Sequence, residues 1–225
     1  CGRQITFDKT NMGSELTTGT RYSGTELEGT IMMGNTFDYV ALHGKGISQL
    51  RNHSFCSCSE EALNAKVIVP KEYAMIDVIY GVQKQFKPET DRLLRNYTQQ
   101  GGRLLISGAN LGSPQTPFKT NYWSGEEVTD KTITGVNGSN LNFTIYREMN
   151  DKSYAVPRIT TINPLPAGDG PTPFAMLQYS NNQPAGIAYD GTDHKAVIIG
   201  FPIESIREAD SRNALMRAVT NFLCK

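Results

Sequence analysis

Residues 75–107 read MIDVIYGVQKQFKPETDRLLRNYTQQGGRLLIS, and the fold is decided here. Met75 to Tyr80 is a short apolar run rich in β-branched residues, which predicts a strand. Pro88 has no N–H to lose at a first helical position. Glu89 and Asp91 then place negative charge in the first turn, where the helix dipole favours it. Leu93, Leu94 and Tyr97 fall on one face of that predicted helix, and Gly101-Gly102 stops it. Arg103 to Ser107 is a second apolar strand. Strand, helix and strand in this order form a right-handed crossover, so the two strands are expected to run parallel.

The second strand runs into a Gly-rich turn, Ser107-Gly108-Ala109-Asn110-Leu111. In many α/β enzymes such a turn presents the nucleophile. Here the backbone N–H groups of Gly108, Ala109 and Asn110 could bind an anion or a carbonyl instead. Farther on, AGIAYDGTDHKAVIIGFP (185–202) predicts two strands joined by a turn at Asp190-Gly191. The last element is a helix capped by Asp210 or Ser211, with Leu215, Met216, Val219, Phe222 and Leu223 as its buried stripe.

Residues 113–175 are rich in Pro, Asn, Gly and Thr, with short alternating pieces such as LNFTIY (141–146). They predict a β-rich insertion. Residues 1–30 lack periodicity, and 31–60 read as a mixed stretch with turns at each Gly. Ser59 caps a short helix that carries Glu60 and Glu61 in its first turn. The expectation is one α/β domain over 1–225. It is a three-layer α/β/α sandwich with a mainly parallel sheet and a β-rich insertion at 113–175.

Composition bounds the function. Of 225 residues, 38% are hydrophobic and 20% charged, which suits a globular chain. Lys and Arg (22) balance Asp and Glu (22), so bulk charge gives no pull toward nucleic acid or an anionic membrane. No apolar run approaches the roughly 18 residues of a membrane span. Four cysteines are too few for a disulfide scaffold. Cys56 and Cys58 are too close for an easy mutual disulfide and lack zinc spacing, so they are expected as buried small residues. His43, His53 and Glu60 or Glu61 form no recognised zinc motif. Neither a metal nor any other cofactor is expected.

Two resemblances add to this reading. AVIIGFPIES (196–205) is similar to the F-H-P-E-S segment of the class I glutamine amidotransferase-like fold. Phe201, Glu204 and Ser205 match, while Pro202 stands where the His would be. The turn around Ala109 stands where the Cys would be. The resemblance therefore implies the fold without its chemistry, which needs both thiolate and imidazole. A second resemblance rests on GNTFDYVALHG (34–44), SFCSCSEEA (54–62), IDVIYGVQKQ (76–85), YTQQGGRLLISGANLGS (97–113), AGIAY (185–189) and VIIGFPIESI (197–206). Together these resemble a family of secreted proteins of gut and oral Bacteroidetes. They are labelled xanthan lyase-like or N-acetylmuramoyl-L-alanine amidase-like. That implies a secreted, periplasmic or cell-surface location and a polysaccharide or cell-wall glycan as partner. Family members carry an opening strand and helix before the point where this chain begins, so a trimmed piece or divergent member is expected. A lipid anchor at Cys1 is correspondingly disfavoured.

GNTFDYVALHG is the block richest in chemistry. A lyase must neutralise a uronate carboxylate, remove a proton and protonate the leaving oxygen. Asn35, His43 and Tyr39 could fill those roles in that order. Asp38 could instead orient His43 against Ser57 or Ser107 in a hydrolytic triad. A purely structural role is the plainer alternative, with Asp38 and Asn35 capping turns, Tyr39 packing and His43 satisfying a backbone group. Glu204 survives from the amidotransferase-like motif. Tyr122-Trp123 could offer a flat face to a sugar ring. The first functional reading is a non-catalytic binding or structural module in glycan-related work. The alternative is a polysaccharide lyase or amidase/hydrolase with its site around Asn35, Asp38 and His43.

Overall fold

A computed structural model describes residues 39–51, 53–81, 87–109, 111, 131–136, 139–146, 154, 156, 158–166 and 170–225, and the backbone of 121–128. In chain order it contains helix α1 (Tyr39–Ser48), helix α2 (Glu60–Asn64) and a 3-10 turn at Pro70–Glu72. Strand β1 (Ile76–Gly81), helix α3 (Pro88–Gln99) and strand β2 (Arg103–Gly108) follow. Then come β3 (Asn121–Val128), β4 (Thr132–Gly135), β5 (Asn142–Thr144), β6 (Ile159–Leu165), β7 (Phe174–Tyr179), β8 (Pro184–Asp190) and β9 (Lys195–Ile199). A 3-10 turn at Ile203–Ser205 leads to the closing helix α4 (Ala209–Cys224).

Residues 75–81 and 87–107 fold as their sequence dictates. β1 lies parallel to β2, with Ile76 opposite Leu104. Pro88 opens α3, and the chain leaves that helix through Gly101 at φ 86°, a left-handed backbone that glycine adopts without a Cβ penalty. Strand β9 adds to the other side of β2 in parallel, with Leu105 opposite Val197.

Beyond β9 the expected sandwich fails. The main sheet runs β1-β2-β9-β8-β7-β4-β5, and every pairing after β2–β9 is antiparallel. The sheet is mixed, not mainly parallel. The physical reason is the connections. β8 returns to β9 through the tight turn after Asp190, and β7 meets β8 the same way, so no crossover helix intervenes. Parallel strands need helices over both faces, and the helices accordingly sit at the β1-β2-β9 end. On one face Leu105, Val197 and Ile199 pack with Ile47 of α1 and Leu215, Met216 and Val219 of α4. On the other, Leu104, Ile106 and Ile198 pack with Leu94 of α3. Ile162 of β6 and Ile187 of β8 continue that second face, where the β3–β6 ribbon takes the place of a helix.

Three local expectations also change. Residues 39–48 form a helix through Gly44 and Gly46 and not a series of turns. A Cβ on Gly46 would lie 2.5 Å from Met216 Cβ, so this glycine lets α1 sit directly on α4. Helix α4 starts at Ala209 with Glu208 as its N-cap and no side-chain cap bond, so Asp210 lies in the first turn and caps nothing. Cys56 and Cys58 are exposed; residues 53–59 form neither strand nor helix, and it is the Phe55 ring that lies against Gly44 of α1. Among the described residues no helix is long and apolar enough to cross a membrane.

Candidate functional site

The polar centre of the molecule assembles from three elements on the α1–α4 face. Asp77 is the second residue of β1. Met75 and Ile79, on either side of it, pack into the core under α1 and α4, so alternation along the strand turns Asp77 inward too. His43 lies on the buried side of α1. Glu204 lies in the 3-10 turn after β9, which is firmly braced. Ser205 donates its hydroxyl to Pro202 O at 2.6 Å, and Tyr146 N–H donates to Ser205 O at 2.8 Å.

These three side chains meet. His43 Nδ1 is 2.7 Å from Asp77 Oδ2, and His43 Nε2 is 3.3 Å from Glu204 Oε2. The first is a well-formed hydrogen bond. The second is an ion contact whose alignment falls short of one. The side chains of His43, Asp77 and Glu204 retain 3%, 15% and 1% of their exposure. Burial alone would pull the imidazole below its ordinary value. The carboxylates outweigh that cost, Asp77 foremost, and hold its pKa up at about 10. At neutral pH the ring is therefore an imidazolium with both nitrogens as donors. Arg212 of α4 is buried beside this group, donates to Ile206 O at 2.8 Å and feels the Glu204 charge. Two carboxylates thus face two cations in the interior.

An imidazolium of this kind holds its proton across the physiological range and is a poor general base. Among the described residues no nucleophile is aligned with it. Ser107 is fully buried, but its hydroxyl makes no hydrogen bond, and Ser57 is exposed. Tyr39 is buried, with its ring edge-on to Tyr154 at 5.4 Å. Asn35 and Asp38 lie outside the described residues.

The Gly-rich turn is similarly occupied. Gly108 pairs with Gly81, and Ala109 N–H donates to Gly81 O at 2.7 Å, so that donor is not free for an anion. Asn110 lies outside the described residues. Tyr122 and Trp123 lie on β3, opposite Pro164 and Asn163 of β6. The His53 ring faces Arg51 O at 2.8 Å rather than His43. Among the described residues no group of three His, Cys, Asp or Glu side chains is placed to hold a metal ion.

Sequence reasoning singled out His43 and Glu204 but missed Asp77 and Arg212. The signal for Asp77 was present: an acid on the inward parity of an apolar strand. Arg212 carried none, because one Arg in an amphipathic helix reads as solvated.

No family model and no curated protein matches the chain. Solved structures do. The exo-beta-1,4-mannosidase Op5Man5 from Opitutaceae bacterium strain TAV5 superposes with a TM-score of 0.56 at 13% identity, over 82% of this chain and 31% of that one. A beta-galactosidase from the Antarctic haloarchaeon Halorubrum lacusprofundi gives 0.43 at 14% identity, over 67% of this chain and 22% of that one. The mmIFT52 N-terminal domain gives 0.49 at 13% identity, over 78% and 87%. The chain thus spans less than a third of the length of either glycosidase. The mannosidase likeness is one of fold, with its match lying within a larger protein.

Proposed function

We propose that this chain is a non-catalytic binding or structural module of a secreted or cell-surface protein with a glycan-related function, of the xanthan lyase-like kind. The observation that carries this reading is the state of His43. Its imidazole is buried and clamped between Asp77 and Glu204, which is the arrangement of a structural ion cluster and not of a working base. The shared fold with part of a mannosidase, a protein that acts on glycans, supports the same reading.

The test is an assay of the chain against β-mannan, xanthan and muropeptides. Turnover is followed by new reducing ends and unsaturated uronate, and retention by affinity electrophoresis. The expected result is no turnover of any of the three. Turnover that disappears in Glu204→Gln, with the circular dichroism spectrum unchanged, would contradict the proposal.

A further inference from the structure

Away from the His43 cluster, a furrow of about 380 Å³ runs between α3 and the segment joining α2 to β1. A second section of about 220 Å³ extends it toward Gly101-Gly102 and shares Lys71, Tyr97 and Gln100 with the first. Its floor and rim have a definite chemistry. Arg92 and Asn96 on α3 and its C-cap Gln100 follow one another at i, i+4 and i+8, so they form a row of exposed polar groups about 6 Å apart along one stripe. Lys66 and Lys71 line the opposite side. Arg103 adds a fourth cation in the extension, and Tyr73, 39% exposed, offers a ring there.

The charge of this furrow is unlike that of the rest of the chain. The whole sequence is neutral, with Lys and Arg equal in number to Asp and Glu. Among the described residues four cations line the two sections, against one acid, Glu89. Lys87, Arg95 and Lys195 all have carboxylate partners. Among the described residues no ion pair involves Lys66, Lys71, Arg92 or Arg103. Lys66 holds its place with φ 58°, a left-handed conformation at a helix end where Gly or Asn is usual. Unpaired cations, amide side chains and an exposed aromatic ring, strung along an open furrow, match a chain molecule that repeats carboxylates and hydroxyls.

We propose that this furrow binds an acidic polysaccharide through its uronate carboxylates, with Arg92 and Lys71 as the principal anion contacts and Tyr73 as a sugar platform. The proposal rests on the glycan-module reading and names its ligand class. Nucleic acid is the competing polyanion. A single exposed Tyr in place of a run of aromatic platforms favours the saccharide.

The experiment titrates the chain into a fluorescent oligogalacturonate, a neutral mannan oligomer of equal length and a single-stranded DNA oligomer of equal charge. Oligogalacturonate is expected to bind, more weakly as salt rises, and the mannan oligomer not to bind. Arg92→Glu and Lys71→Glu each weaken binding by about fivefold or more, Tyr73→Ala weakens it at constant charge, and Arg207→Glu leaves it unchanged. Arg207 is exposed and lies outside the furrow. Equal loss in Arg207→Glu, tighter binding of the DNA oligomer or no binding of oligogalacturonate would each overturn the proposal. Retention of mannan alone would overturn the anion furrow and leave the module reading standing. Cleavage of oligogalacturonate with Arg92-dependent affinity would uphold the furrow and overturn the module reading.

Discussion

Among the described residues, one cation lies between two carboxylates both inside the protein and on its surface. Inside, His43 meets Asp77 at 2.7 Å and Glu204 at 3.3 Å. Outside, Lys87 Nζ meets Glu61 at 2.8 Å and Glu60 at 3.2 Å. The charges and distances are nearly the same. The surroundings are not: the Lys87 side chain is 51% exposed and that of Glu61 72%, against 3% for His43. Water screens the outer cluster and competes for every bond in it, so its net contribution is small. The inner cluster is almost wholly buried. Each of its charges depends on the others, and removing one strands the rest. A shifted pKa does not by itself measure stability. The hydrogen bond from Lys87 holds the Glu61 carboxyl down at about 2, yet that group is open to solvent.

The sharpest way to break the comparison is His43→Leu. It leaves Asp77 and Glu204 buried without their shared cation. We expect a loss of about 3–5 kcal/mol in urea unfolding. A loss no larger than that of a surface substitution would show that the interior is not dry.

The pH dependence comes next. The folded His43 pKa is raised above its ordinary 6.5 to about 10. Its stabilisation is therefore complete below about 6.5 and is lost as pH rises through about 10. Unfolding free energy should fall across that window with a limiting slope of about 1.4 kcal/mol per pH unit. The slope should be absent in His43→Gln. Smaller still is Gly46→Ala, which forces a methyl toward Met216 and lifts α1, with His43 on it, off α4. A destabilisation of about 1–3 kcal/mol is expected from denaturant curves. Lys87→Ala anchors the other end of the scale. It should leave the urea midpoint within the scatter of repeated measurements, and a clear shift would mean that the outer cluster matters as the inner one does.

Much of the parallel end was legible in the sequence. Pro88, the Gly101-Gly102 stop and the apolar runs on either side carry their own local instructions. The Asp190-Gly191 turn does too, and it appears between β8 and β9 as a hairpin. The sheet's overall direction was not legible, because the partners of β7 and β4 are chosen by packing across distant segments and not by local pattern. Helix α1 was hidden by Gly44 and Gly46. Both lower helix propensity and read as turns, yet Gly46 serves a close helix–helix contact. The polar centre was half legible. His43 and Glu204 could be named individually, but their meeting with Asp77 is a tertiary event that joins residues 43, 77 and 204.

The inner cluster depends on His43 being a structural imidazolium. Titration of its ring carbon and nitrogen resonances by NMR tests this most directly. The ring is expected to stay protonated through pH 9 and to titrate near 10, with both nitrogens reporting attached protons. A midpoint near the ordinary 6.5 would contradict it and return His43 to the list of candidate bases.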